Sequence, residues 1–277
     1  MSTDKIIEVK GLTYCYSDGT KALEDINIDF YKSQFIAFIG QNGCGKTTFS
    51  KCLNGIFKPT GGKILVNGLD TSLPKINRQL VENIGYVFQN PDHQLFNNSV
   101  YDEIAYAPRN LKLDEEQVRE RVLVASKISG VSEGLFEEHP FFLVKGLRQR
   151  IAIASILSLK PRVIIVDEPT TGQDHKQSIE VMEFLKMLNE ELGHTIIIVT
   201  HEMDIVAQYA KRVVVMNDGK VLTDGTVKEV FANPGLLERA NVKPPQITRL
   251  AQALGSYGFK NNVISFDEMC QQWDNRA

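Results

Sequence analysis

Gly40-Gln41-Asn42-Gly43-Cys44-Gly45-Lys46-Thr47-Thr48 follows the apolar run Phe35-Ile36-Ala37-Phe38-Ile39 and opens a helix-compatible segment, Thr47 to Phe57. It fits G-x-x-x-x-G-K-[ST], set between strand and helix as a phosphate-binding loop requires. The glycines let the backbone curl so that successive N–H groups point at phosphate oxygens. The N-terminus of the following helix adds about half a positive charge at the same point. In such a loop Lys46 reaches the β- and γ-phosphates, and the Thr47 hydroxyl binds Mg²⁺. This stretch is read as a nucleotide site.

Working outward, Ile6–Lys10 and Leu12–Tyr16 are expected as two strands, and Ala22–Phe30 alternates apolar and polar residues as a half-buried antiparallel strand does. Tyr16, in this ribbon, offers a ring able to stack on an adenine. Downstream, 63–68 is expected to return to the ribbon, and Ile84–Phe88 to form a strand ending on Gln89. The region from Asp102 to about Leu159 reads as mostly helical, with a capping box at Asp114–Gln117 and a helix over 147–157. Val163–Val166 and Thr195–Val199 are continuous apolar runs, the mark of strands buried on both faces. Helical spacing covers 177–192, and Asn217-Asp218-Gly219 is a hairpin turn. The expected fold is α/β: a P-loop fold with a mainly parallel core sheet. An N-terminal antiparallel β subdomain, an inserted helical subdomain at about 90–160 and a small C-terminal helical appendage complete it. The nucleotide-binding domain is expected over 1–233 and the appendage over 234–277.

Composition excludes little and fits this. The chain has 277 residues, 31 basic against 34 acidic, for a net charge of −3. No basic run favours nucleic acid. Apolar runs reach only about five residues, too short to span a bilayer, which needs about 20. The start, Met-Ser-Thr-Asp-Lys-Ile, lacks a secretory signal. Membrane contact is therefore expected only through partners. The four cysteines show no C-x-x-C spacing, and reduced thiols in a cytosol are expected.

Ligands of open α/β sheets bind at the carboxyl ends of the strands. The runs described above deliver the loop, Asp167-Glu168 and His201 to those ends. Asp167 suits Mg²⁺ through its water shell. Glu168, expected on the opposite side of the strand by period-two alternation, suits deprotonation of an attacking water. His201 suits a hydrogen bond to the γ-phosphate.

Gly40–Thr48, Gln89, Asp167-Glu168-Pro169-Thr170, Gly172-Gln173-Asp174 and His201 resemble, in order, Walker A, Q-loop, Walker B, D-loop and H-switch of ATP-binding-cassette ATPases. The resemblance covers about residues 5–230. It implies two subunits sandwiching two ATP molecules, each site completed by the partner's signature loop. It further implies adenine stacking by Tyr16, catalytic roles for Glu168, His201, Gln89 and Lys46, and Mg²⁺ at Thr47, Gln89 and Asp167. Asp174 is the D-loop acid. Phe88–Phe96 and Asn241–Thr248 resemble, more narrowly, the ATPases of energy-coupling-factor importers, which take up vitamins or transition-metal ions such as cobalt and nickel. That likeness implies a membrane coupling subunit, a substrate-binding membrane subunit, a peripheral place on the cytoplasmic face of the cell membrane, and an appendage that helps pair the ATPases.

One departure stands out. Where the family reads L-S-G-G-Q, this chain has Leu143-Val144-Lys145-Gly146-Leu147. Val144 lacks the hydroxyl, Lys145 replaces a glycine, Leu147 replaces an amide, and only Gly146 survives. Because signatures act in trans, the expectation is a heterodimer with one competent and one impaired site. An alternative gives Lys145 a compensating charge toward phosphate. Cys44, in the phosphate loop, reads either as simple packing or, beside the helix N-terminus and Lys46, as a thiol with a lowered pKa and an ATP-protectable reactivity. Two rival functions are a soluble cassette ATPase acting on nucleic acid or ribosomes, and a nucleotide-binding regulatory subunit with little turnover.

Overall fold

The computed structural model describes residues 4–73 and 77–275. Strand β1 (Lys5–Cys15) pairs antiparallel with β2 (Lys21–Tyr31). The two strands expected at 6–10 and 12–16 are one. Gly11 sits at φ 60° and makes a bulge, and its N–H is held by the Asn27 side chain at 2.8 Å. The apolar alternation of β2 survives, with Leu23, Ile26, Ile28 and Phe30 buried.

Strand β3 (Phe35–Ile39) is buried at all five positions and runs into the phosphate loop and α1 (Lys46–Leu53). That helix stops short of Phe57 because Gly55 turns at φ 78°. Strands β4 (Gly61–Val66) and β5 (Leu69–Asp70) return to β1, giving a four-stranded antiparallel sheet ordered β2-β1-β4-β5. Helix α2 (Asn77–Val81) leads to β6 (Ile84–Val87).

The inserted region holds α3 (Val100–Asn110), α4 (Glu115–Ser129) and α5 (Lys145–Leu157). The capping box at Asp114 and Gln117 is formed as expected, and Gly130 closes α4 at φ 68°. Helix α5 starts two residues earlier than its apolar spacing indicates, at Lys145.

Beyond it come β7 (Val163–Asp167), α6 (His175–Glu190), β8 (Thr195–Val199), α7 (Met203–Tyr209), β9 (Arg212–Asn217) and β10 (Lys220–Thr226). The second sheet is ordered β10-β9-β3-β8-β7-β6; only the β9–β10 hairpin is antiparallel. Helices α8 (Val227–Phe231), α9 (Pro234–Arg239), α10 (Gln246–Ala253) and α11 (Phe266–Asp274) finish the described chain.

Within the second sheet β3, β6, β7 and β8 are buried at every position, which explains the unbroken apolar runs. Phe35, Ala37 and Ile39 point into a core shared with helices α3–α6. Ile36 and Phe38 point the other way, into a core shared with the first sheet and α1, where Phe38 stacks on Phe49 at 5.2 Å. Each of these fully buried Ile and Phe side chains contributes about 1.5–3 kcal/mol. Leu237, Ala240 and Val242 belong to the main core, whereas Ala251, Phe259, Val263 and Met269 form a small separate one. Among the described residues no helix is long and apolar enough to cross a membrane.

Candidate functional site

Strands β3, β8 and β7 lie side by side, so the segments leaving their carboxyl ends meet. The loop after β3 is shaped by close approaches. A Cβ on Gly40 (φ 144°) would fall 2.2 Å from the Met216 carbonyl, and one on Gly45 (φ 104°) 2.8 Å from the Ala22 carbonyl. Gly45 is the N-cap of α1 and brings no side-chain cap, leaving the first N–H groups for a ligand.

The loop opens on a cleft of roughly 760 Å³. Asn42, Gly43, Gly45, Lys46, Thr47 and Thr48 line it. So do Tyr16, Gln89, Asp167, Glu168 and His201. Buried Gly40 and Cys44, exposed Gln41, Asp174 and 144–147 do not line it. Asp174 accepts from the Gln177 N–H at 2.8 Å and caps α6. Tyr16 is fixed by a hydrogen bond between its hydroxyl and Thr48 Oγ1 (2.7 Å) and by edge contact with Tyr14.

Lys46 is 6% exposed, and its Nζ donates to the Gly40 and Gln41 carbonyls at 2.8 and 3.0 Å. Thr47 Oγ1 lies 3.5 Å from Asp167 Oδ1, and the other oxygen, Oδ2, accepts from the Tyr86 hydroxyl at 2.7 Å. Burial, reinforced by the Asp167 carboxylate, pushes the Tyr86 phenol far above its usual range, so it remains a donor. Among the described residues no three His, Cys, Asp or Glu side chains gather as a ready metal cage. One hydroxyl and one carboxylate oxygen suit Mg²⁺, which keeps most of its waters and takes hard oxygen ligands.

Two expectations are corrected. Asp167 and Glu168 do not diverge to opposite sides, because Glu168 leaves β geometry at φ 51° and both carboxylates face the cleft. Its carboxylate meets His201 Nδ1 at 2.9–3.0 Å and accepts from Thr171 Oγ1 at 3.1 Å. Cys44 is not activated either. It is buried in the core, and burial pushes its thiol up, outweighing the Lys46 ammonium 4.0 Å away.

The altered signature begins α5. Val144 is its N-cap, 66% exposed, with no side-chain cap bond. Lys145 Nζ is engaged within the same chain, donating to the Thr171 carbonyl at 3.0 Å and the Gly172 carbonyl at 3.3 Å. Sequence reasoning missed Tyr86, Thr171 and Asn241, whose amide donates to Gln41 Oε1 at 2.7 Å. A phenol in an otherwise apolar strand was a visible signal for Tyr86. Asn241 opens the stretch that resembles the energy-coupling-factor ATPases, but nothing in the sequence signals its contact with Gln41, 200 residues away.

Phosphate-loop backbone, a magnesium-suited oxygen pair and a carboxylate–histidine pair at the carboxyl ends of neighbouring strands make this a P-loop ATPase. Residues 23–171 match the ABC transporter family. A putative ABC transporter ATP-binding protein, TTE1589, from Caldanaerobacter subterraneus subsp. tengcongensis is 50% identical over 96% of this chain, which spans only 45% of that relative. The energy-coupling factor transporter ATP-binding protein EcfA2 of the same organism is 40% identical over 95% of this chain and 94% of its own length. Among solved structures, cbiO1 from Clostridium perfringens, part of the ABC transporter complex cbiONQ, superposes with a TM-score of 0.76 at 42% identity, covering 90% of this chain and 99% of that one. The dimeric cassette MJ0796, in a post-hydrolysis state with ADP and Pi, gives a TM-score of 0.71 at 27% identity, covering 80% of this chain and 98% of that one. The chain belongs to the ATP-binding subunits of ABC transporters, of the energy-coupling-factor or cobalt type.

Proposed function

We propose that this chain hydrolyses MgATP to drive an importer of a vitamin or transition-metal ion, working at the cytoplasmic face of a membrane through membrane partners. The observation that carries this is the convergence of Lys46, the Thr47–Asp167 pair and the Glu168–His201 pair on one cleft. Loop amides hold the phosphates. Lys46 exchanges the Gly40 and Gln41 carbonyls for phosphate oxygens. Thr47 and Asp167, with Gln89 nearby, would hold Mg²⁺, which supplies positive charge against the phosphates. Tyr16 stacks on the adenine.

Glu168 takes a proton from water as the water oxygen bonds to the γ-phosphorus. The bond between that phosphorus and the β,γ-bridging oxygen breaks, and its electron pair leaves with ADP. His201, bonded to Glu168, holds the carboxylate and senses the γ-phosphate. Glu168→Gln is expected to retain ATP binding in a filter or fluorescence assay while losing most turnover. Retained turnover would remove Glu168 as the base.

The chain's own loop, base and histidine are intact, whereas 143–147 offers a partner's ATP little. We infer an asymmetric pair with a second cassette ATPase that supplies an intact signature. Turnover by the purified chain is expected to be low and to rise when that second ATPase is added. Cooperative hydrolysis by the chain alone, unchanged by a second ATPase, would refute the asymmetry.

A further inference from the structure

We propose that Lys145 is a positioning residue for this chain's own Glu168, acting in cis through Thr171; this rests on Glu168 being the base. Four contacts make the connection. Lys145 Nζ, at the first turn of α5, donates to the backbone carbonyls of Thr171 (3.0 Å) and Gly172 (3.3 Å). The Thr171 hydroxyl donates to Glu168 Oε2 at 3.1 Å. The Glu168 carboxylate then meets His201 at 2.9–3.0 Å.

The segment between has need of such a hold. Glu168 sits at φ 51°, a backbone region that a glutamate keeps only when its surroundings over-determine it. The Glu168 N–H donates to the Val199 carbonyl at 2.8 Å, Gln173 Nε2 to the Pro169 carbonyl at 3.1 Å, and Asp174 is committed to capping α6. Thr171 is the residue of this turn whose side chain reaches the base, and Lys145 is what grips its carbonyl. Gly172 fits this use, since a Cβ there would stand 2.6 Å from Lys145 Nζ.

A cation at the first turn of a helix opposes the helix dipole, and Val144 offers no acceptor to the N-terminus. Two charge-assisted hydrogen bonds to carbonyl oxygens offset that, and they exist only because the side chain turns toward 171–172. A phosphate on a partner subunit would have to compete with both. The residue that spoils a signature acting in trans is thereby used in cis.

The same helix reaches the loop after Gln89. Arg148 forms an ion pair with Asp92 at 2.8 Å, and Gln94 Nε2 donates to the Ala152 carbonyl at 2.8 Å. Helix α5 therefore touches both that loop and, through Lys145, the turn that holds the base.

The test is steady-state ATP hydrolysis by the full chain with its cassette partner. Lys145→Ala and Thr171→Val are each expected to lower kcat by roughly tenfold to a hundredfold, with KM for ATP changed less than about twofold and thermal unfolding of the chain little moved. Lys145→Arg and Thr171→Ser, which keep the donors, restore most of the lost turnover. The double variant Lys145→Ala/Thr171→Val is no slower than the slower single, because both interrupt one chain of contacts. An unchanged kcat in Lys145→Ala overturns the proposal. So do single effects that multiply in the double variant, failure of Arg to restore turnover, or a loss confined to KM. Should either truncated variant fail to fold, the Lys145→Arg and Thr171→Ser proteins carry the test, and a kcat as low as a hundredth of the parent's in either refutes it. Glu168→Gln runs alongside: full turnover there refutes the base, whatever Lys145 does.

Discussion

Tyr86 ties the magnesium end of the cleft to the core, because its hydroxyl is the donor that fixes Asp167 Oδ2. Tyr86→Phe leaves a buried carboxylate oxygen without that donor, at a cost of about 1–3 kcal/mol in stability. With Asp167 less firmly oriented, the Mg²⁺ concentration for half-maximal ATPase is expected to rise about tenfold, which a magnesium titration at saturating ATP would read. An unchanged half-maximum would mean Asp167 is oriented by something else. His194 gives a pH dependence. Its Nδ1 lies 2.8 Å from the Pro161 carbonyl, and burial lowers its pKa below the ordinary 6.5. Above that ordinary value the ring is neutral in both states and its full contribution is present. As pH falls, the unfolded chain binds the proton first, so stability is lost through the folded-state pKa. Urea midpoints compared at pH 8 and pH 5.5 should fall less in His194→Gln than in the parent. At this scale the loop lysine, threonine and glycines were legible because their geometry is local. The state of Cys44 was not: helix terminus and lysine are neighbours in sequence, but the burial that overrides them comes from packing against distant strands.

Elements were legible where periodicity alone decides them, as in β7 and β8, whose apolar runs are buried throughout. They were misjudged where a tertiary contact carries the chain past a local break. Gly11 reads as a strand end, yet the Asn27 side chain satisfies its N–H and β1 continues. The start of α5 was missed for a related reason: Lys145 is polar by pattern, and its place in the helix is fixed by carbonyls 26 and 27 residues away. Contact between elements also sets a stability prediction. A Cβ on Gly85 of β6 would lie 2.1 Å from Ile156 Cγ2 of α5, a branched side chain with little room to retreat. Gly85→Ala is expected to cost about 1–3 kcal/mol by overpacking, read as a lower denaturant midpoint. Gly85→Ala/Ile156→Val should not recover it, because valine keeps both γ-carbons on Cβ; Gly85→Ala/Ile156→Ala should recover part.

Across the whole molecule, the C-terminal helices are joined to the nucleotide loop by a contact with no trace in local sequence. Leu237, Ala240 and Val242 anchor the turn after α9 in the main core, and Asn241 between them reaches Gln41 Oε1 at 2.7 Å. Gln41 is a node of the phosphate loop, since its carbonyl accepts from both Lys46 Nζ and the Cys44 N–H. On the other side, α10 and α11 share their own small core and fasten to α8 through Gln252 on the Phe231 carbonyl and Asn261 on the Ala232 carbonyl. Any movement of these helices would therefore strain the turn at Asn241 and, through it, the loop. Asn241 takes φ 51°, which asparagine tolerates better than most residues, so a substitution must separate backbone strain from loss of the amide. Asn241→Gly keeps the left-handed turn and loses only the amide; Asn241→Ala loses both. A hydrogen bond of this kind contributes about 0.5–1.5 kcal/mol, so affinity for a non-hydrolysable ATP analogue, measured by titration calorimetry, should weaken about two- to tenfold in Asn241→Gly. Asn241→Ala should weaken at least as much. If both bind as tightly as the parent, the contact does not report to the loop. If only Asn241→Ala weakens, the turn matters for its shape and not for the bond to Gln41.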